Sequence, residues 1–151
     1  MQLVKQYSLF LENKPGLLAQ VARQLAKARI NVLAMTMMDS SEHGVLRMVV
    51  SDGIDKFRAA VTELNLPMTE AEVLLVDMPN RPGALAEVCG KLAESHINIS
   101  YAYCTTGAPG GKTNGVFKVA DLKKAMKVLS KPIAKHRDLK KKVRRPMPVR
   151  P

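Results

Sequence analysis

Tryptophan is absent from this 151-residue chain, cysteine occurs twice and histidine three times. Cys89 and Cys104 form no Cys-x-x-Cys pair, so neither a disulfide framework nor a zinc site is indicated, and a reducing compartment fits. No apolar run approaches the roughly 18 residues that a membrane span needs. Met1 to Gln6 lacks the basic start and apolar block of a secretory signal, so the expectation is a cytoplasmic protein with no membrane partner. His43, His96 and His136 are accompanied by no serine, cysteine or carboxylate at a repeating spacing. The sequence therefore predicts no catalytic residues, no metal site, no cofactor and no enzyme activity.

What is present is a globular composition, 46% apolar and 25% charged. The formal net charge is +11, and its location matters more than its size. From Lys131 to Pro151 nine basic residues stand against Asp138 alone, a net +8, which leaves +3 for everything before. The same stretch holds Pro132, Pro146, Pro148 and Pro151, and proline cannot continue a helix. Residues 131–151 are thus read as a basic, proline-rich tail. Weak, salt-dependent attraction to nucleic acid or to an acidic protein is expected from that tail only.

The remainder is an internal duplication. Asn13 to Val32 (NKPGLLAQVARQLAKARINV) and Asn80 to Ile99 (NRPGALAEVCGKLAESHINI) align at a constant offset of 67, and half of their positions are identical. In each copy the hydrophobic period alternates between two and 3.6, which orders the elements as strand, helix, strand, strand, helix, strand. Tyr7, Leu9 and Leu11 mark a first strand. Pro15 is expected to open a helix with Leu18, Val21, Ala22 and Leu25 on its apolar face, repeated by Leu85, Val88, Cys89 and Leu92. Asn31 to Asp39 and Gly44 to Val50 read as strands around a turn, Ile54 to Leu64 as a second helix, and Pro67 to Glu70 as a short closing strand. Glu72 to Met78 then opens the second copy with no visible linker. That copy continues through Ile97 to Cys104, a loop over Gly107 to Gly111, a strand at Gly115 to Val119 and a helix from Asp121 to Leu129. Its closing strand is not visible, unless Lys131 to His136 forms an irregular edge. The units are placed at residues 1–70 and 71–130.

A βαββαβ unit whose first strand runs into Asn-[Lys/Arg]-Pro-Gly, and whose second strand opens on Ile-Asn-[Val/Ile], resembles an ACT domain. Two such units resemble the stand-alone tandem ACT proteins over roughly residues 4 to 129. The resemblance implies an α+β fold of two ferredoxin-like units packed together. Each would be an antiparallel sheet with strand order 4-1-3-2 and helices on one face. It further implies a regulatory module that binds a small effector, usually an amino acid, with two units side by side along their second strands. The chemistry of the residues agrees. A loop ending at a helix N-terminus offers backbone N–H groups to a carboxylate, and an asparagine amide both donates and accepts. Two pseudo-equivalent sites across the interface between copies are therefore expected. One combines Asn13, Lys14, Pro15, Gly16, Leu17 and Leu18 with Asn98. The other combines Asn80, Arg81, Pro82, Gly83, Ala84 and Leu85 with Asn31. The bland alternative is that Asn13 and Asn80 cap the helix or turn. A homodimer and a partner enzyme are the expected protein partners.

Other motifs fail on chemistry. Gly107 to Thr113 imitates a phosphate-binding loop, but the position five before Gly111 is Thr106, and the following residues read as a strand. Met35, Met37, Met38 and Met48 read as adaptable packing. RNA-recognition domains share the element order but stack bases on aromatics of the first and third strands. The third strand of copy one, Gly44 to Val50, has none, and copy two offers Phe117, Tyr101 and Tyr103 but no Arg/Lys-Gly-Phe-Gly-Phe signature, so sheet-face RNA binding is not expected.

Overall fold

The computed structural model describes residues 1–38, 43–51, 53–105 and 111–130. The first copy supplies β1 (Gln2–Glu12), α1 (Leu17–Lys27), β2 (Val32–Met38), β3 (His43–Val50) and α2 (Ile54–Thr62). The strand β4 (Met68–Pro79) leads into α3 (Ala84–Glu94), β5 (Ile99–Thr105), β6 (Lys112–Val119) and α4 (Leu122–Leu129). The six strands make one antiparallel sheet in the order β2-β3-β1-β4-β6-β5. The expected loops at residues 39–42 and 106–110 lie outside the described residues, as does the tail.

The two central strands join the copies. The predicted closing strand of copy one and first strand of copy two are a single strand, β4. Its first part pairs with β1, Met68 against Leu9 through Leu75 against Gln2, and its last part pairs with β6, Leu74 against Phe117 through Pro79 against Lys112. The start of β1 does for copy two what the start of β4 does for copy one. Gln2 to Lys5 lie against Leu75 to Glu72 and complete the second unit's 4-1-3-2 order. That place is therefore held by the beginning of the chain; Lys131 to His136 lie outside the described residues.

The expected pairing along the second strands is corrected accordingly. The hydrogen-bonded seam runs between the first strands, and β2 and β5 end the sheet at opposite sides. The sheet nevertheless curls until β2 and β5 touch, without a ladder between them. A β-bulge between Val32 and Ala34, and another at the equivalent step from Ile99 to Tyr101, sharpens the curl at both edges. Each bulge also moves the following residues to the opposite face. Val32 packs under the helices, whereas Ala34 packs inside the curl.

All four helices cover the outer face, over two cores. Tyr7, Leu9, Leu11, Leu46 and Met48 meet Val21, Leu25, Phe57 and Val61 from α1 and α2. The Tyr7 and Phe57 rings stack at 4.3 Å between centroids. Leu74, Val76, Met78 and Phe117 meet Val88, Leu92 and Ala125 from α3 and α4. A third cluster of Ala34, Val49, Val73, Leu75 and Val116 fills the inside of the curl. The helices on the outer face and this cluster on the inner one thus cover the central strands from both sides.

Several local expectations change. The buried stripe of α1 is Leu17, Val21, Leu25 and Ala28, one step round from the predicted face, and Leu18 and Ala22 are exposed. In α3 it is Ala84, Val88 and Leu92, with Leu85 exposed. Met48 is buried, but Met35, Met37 and Met38 are 45%, 44% and 54% exposed, since β2 ends the sheet.

Candidate functional site

The Asn-x-Pro-Gly element proves to be a turn that delivers a helix. Gly16 has φ +88° and ψ −13°, and the Leu17 N–H reaches the Lys14 carbonyl at 3.5 Å. Gly83 has φ +89° and ψ −17°, and the Ala84 N–H reaches the Arg81 carbonyl at 3.3 Å. Proline first and left-handed glycine second define a type II turn over Lys14–Leu17 and over Arg81–Ala84. Proline therefore sits before the N-cap and not in the first turn, and glycine holds the N-cap because only it adopts that backbone without strain. With glycine there, neither asparagine is the helix cap.

Asn13, Lys14, Pro15 and Gly16 are exposed, as is Leu18, while Leu17 is half-buried. Asn80 is half-buried, and its N–H donates to the Gly111 carbonyl at 2.8 Å. Arg81, Pro82, Gly83 and Leu85 are exposed and Ala84 is buried. Asn31 and Asn98 are exposed at the starts of the second strands. The Asn31 carbonyl accepts from the Ser51 N–H at 2.9 Å, and the Asn98 carbonyl from the Ala120 N–H at 3.1 Å. Strand directions put the Asn13 to Leu18 turn and Asn98 at one end of the sheet, and the Asn80 to Leu85 turn and Asn31 at the other. In the sheet order, β4 and β6 lie between β1 and β5, so each turn and its predicted asparagine share an end without being adjacent strands.

A groove of about 480 Å³ lies at the first turn. Its polar wall holds Glu12, Lys14, His43 and Asn65, and its apolar wall Phe10, Leu64 and Leu66. The Lys14 ammonium hydrogen-bonds Glu12 and holds that carboxyl below its usual range. The α1 N-terminus adds partial positive charge with no acidic side chain in its first turn. Groove volumes of roughly 300 to 1,000 Å³ suit small ligands. The sequence pointed to Lys14, Pro15 and Leu17 here but missed Phe10 and Glu12 on the adjoining end of β1, and His43 and Asn65, which only the return of β3 and of the α2–β4 connection brings to the turn.

A second polar cluster lies inside the curl. Gln6, fully buried, donates to the Tyr101 hydroxyl at 2.7 Å and to Ser8 at 3.4 Å, and accepts from the Tyr103 hydroxyl at 3.1 Å. The Arg47 guanidinium lies 4.6 Å from the centre of the Tyr101 ring. Burial pushes the Tyr103 phenol well above its ordinary range. These residues clasp β1 and β3 of one copy to β5 of the other. Among the described residues no cluster of His, Cys, Asp or Glu could hold a metal ion, and no helix is long and apolar enough to cross a membrane.

Fold and turns together define a pair of ferredoxin-like units fused through their first strands, each presenting a turn at a helix N-terminus. The chain belongs to the ACT domain pair family, which matches residues 2–140. ACT domains are regulatory modules, and no catalytic family is indicated. The fold is similar to that of protein BT0572 from Bacteroides thetaiotaomicron, with 35% identity, a TM-score of 0.77, and coverage of 85% of this chain and 87% of that one. It is also similar to the ligand-free regulatory subunit of aspartate kinase from Thermus thermophilus, at 14% identity, TM-score 0.64, and 86% and 96% coverage. The corresponding subunit from Thermus flavus shows 18% identity, TM-score 0.60, and 85% and 92% coverage. Among curated protein sequences none matches this chain significantly.

Proposed function

We propose that this protein is a regulatory module whose effector is an amino acid with an apolar side chain, bound in the groove at the Lys14–Leu17 turn. The groove's composition carries the reading. Lys14 and the α1 N-terminus suit a carboxylate, Glu12 and the Asn65 amide oxygen suit an ammonium, and Phe10, Leu64 and Leu66 suit the side chain. Binding orders the turn against the α2–β4 connection, which continues directly into the strand shared by both copies. Occupancy is thereby passed to the seam and on to a protein partner.

The test is a thermal-shift screen of the twenty amino acids. An effector at about 100 times its dissociation constant adds roughly 2.7 kcal/mol and raises Tm by roughly 5 to 10 °C. Lys14→Ala should reduce the shift, and Asn13→Ala tests the neighbouring asparagine. If no amino acid moves Tm, the reading fails. The exposed Met35 and Met37 side chains on β2 support a homodimer, which sedimentation of the intact chain would detect as twice the monomer mass.

A further inference from the structure

The two turns share a backbone but not an arrangement of charge. In copy one Lys14 pairs backwards with Glu12, both exposed, and the position in the first turn of α1 is the neutral, exposed Gln20. At the offset of 67 the equivalent of Glu12 is Pro79 and that of Gln20 is Glu87. Arg81 accordingly turns forward. Its Nη2 lies 2.8 and 2.9 Å from the two oxygens of Glu87, and its Nη1 lies 3.3 Å from the Pro82 carbonyl. The Glu87 side chain is only 6% exposed. A shielded carboxylate thus already stands in the first turn of α3, where the helix dipole favours an anion, and it engages the one cation of that turn.

We propose that the second copy is self-liganded: Glu87, clamped by Arg81, stands where an effector carboxylate would bind, so the chain takes one effector, at the first copy's turn. This rests on the amino-acid reading of the groove. A ligand carboxylate approaching the second turn meets the Glu87 charge and finds Arg81 engaged. At the first turn it meets Lys14, whose partner Glu12 is exposed to solvent and lies before the turn, and a neutral Gln20 in the place of the shielded carboxylate. The duplication then separates two roles, with one copy sensing and the other holding the shared strand in place.

Equilibrium dialysis of the intact chain against each of the twenty L-amino acids, one at a time, tests this by stoichiometry. The parent should bind one molecule per chain. Glu87→Gln, which copies the residue of the first turn, should bind two. The reverse transplant, Lys14→Arg with Gln20→Glu, alters exposed positions and should leave none; circular dichroism would verify that both variants fold. Two molecules on the parent, or a transplant that still binds one, overturns self-liganding while the effector reading stands. Should Glu87→Gln fold and remain at one, self-liganding is likewise overturned. If no amino acid binds the parent or Glu87→Gln, the effector reading itself falls, and this inference with it.

Discussion

Lys5 on β1 lies directly across from Glu72 on β4, and the offset of 67 that relates the two copies carries one position onto the other. The pseudo-twofold axis of the molecule therefore passes between these two residues. On either side of it the chain builds the same four-stranded order twice, each time borrowing its fourth strand from the other copy's first.

Deleting Met1 to Lys5 should uncouple this arrangement. It strips the ladder from Glu72 to Leu75 and removes Val4 from the inner cluster. Hydrogen exchange should speed up first at Glu72 to Leu75 and in β6, with the first copy's α1 and β3 still protected. Uniform loss of protection across the chain would show that the copies do not unfold separately.

At Gly16 substitution by alanine meets open space but a left-handed backbone, so the cost is conformational, about 1 to 2 kcal/mol. Denaturant melts should show a lower midpoint at unchanged m. A midpoint equal to the parent's would mean that the turn relaxes to another type.

Gly115 presents the opposite case. A Cβ there would lie 2.6 Å from Phe117 Cε2 and 2.8 Å from Met78 Cε, and both of those side chains are buried. Gly115→Ala should cost about 1 to 3 kcal/mol through overpacking. Gly44→Ala should cost less, because its contacts are longer, 3.1 Å to the end of the exposed Met37 and 3.3 Å to the Met38 carbonyl oxygen.

Tyr103→Phe removes the hydroxyl that donates to the buried Gln6 and should destabilise by about 1 to 3 kcal/mol. It should also alter the alkaline limb. A phenol raised by burial keeps its proton in the folded state after the unfolded chain has lost it. Its contribution is complete below the unfolded tyrosine value near 10 and falls as pH rises above that. Tyr7 is raised by burial in the same direction, so the variant should lose stability more gently than the parent above about pH 10, without becoming flat. Identical slopes would show that Tyr103 is not shielded.

The sequence on its own determined what local physics governs. The duplication, the order of strands and helices, and the Asn-x-Pro-Gly turns were legible because hydrophobic period and turn chemistry act over a few residues. The charge swap from Glu12 and Gln20 to Pro79 and Glu87 was equally visible in the alignment of the copies, although its meaning needed the Arg81 geometry. Two helix ends show how far local reasoning reaches. Arg29 and His96 both take positive φ, and the Ile30 and Ile97 N–H groups close onto the Leu25 and Leu92 carbonyls, a Schellman ending without the glycine that would announce it.

Tertiary structure alone decided the rest. A strand pattern records which residues are apolar but not which neighbour satisfies their backbone, so the merger of Pro67–Glu70 with Glu72–Met78 and the use of Gln2–Lys5 as the second copy's fourth strand could not be read from periodicity. The bulges at Val32–Ala34 and Ile99–Tyr101 turned the edge strands over, which buried Ala34, half-buried Tyr103 and exposed Met35 and Met37. Gln6 alternates with the apolar Tyr7, Leu9 and Leu11 along β1 and is nevertheless fully buried, because the curl of a six-stranded sheet, a property of all its strands together, brought β5 over it.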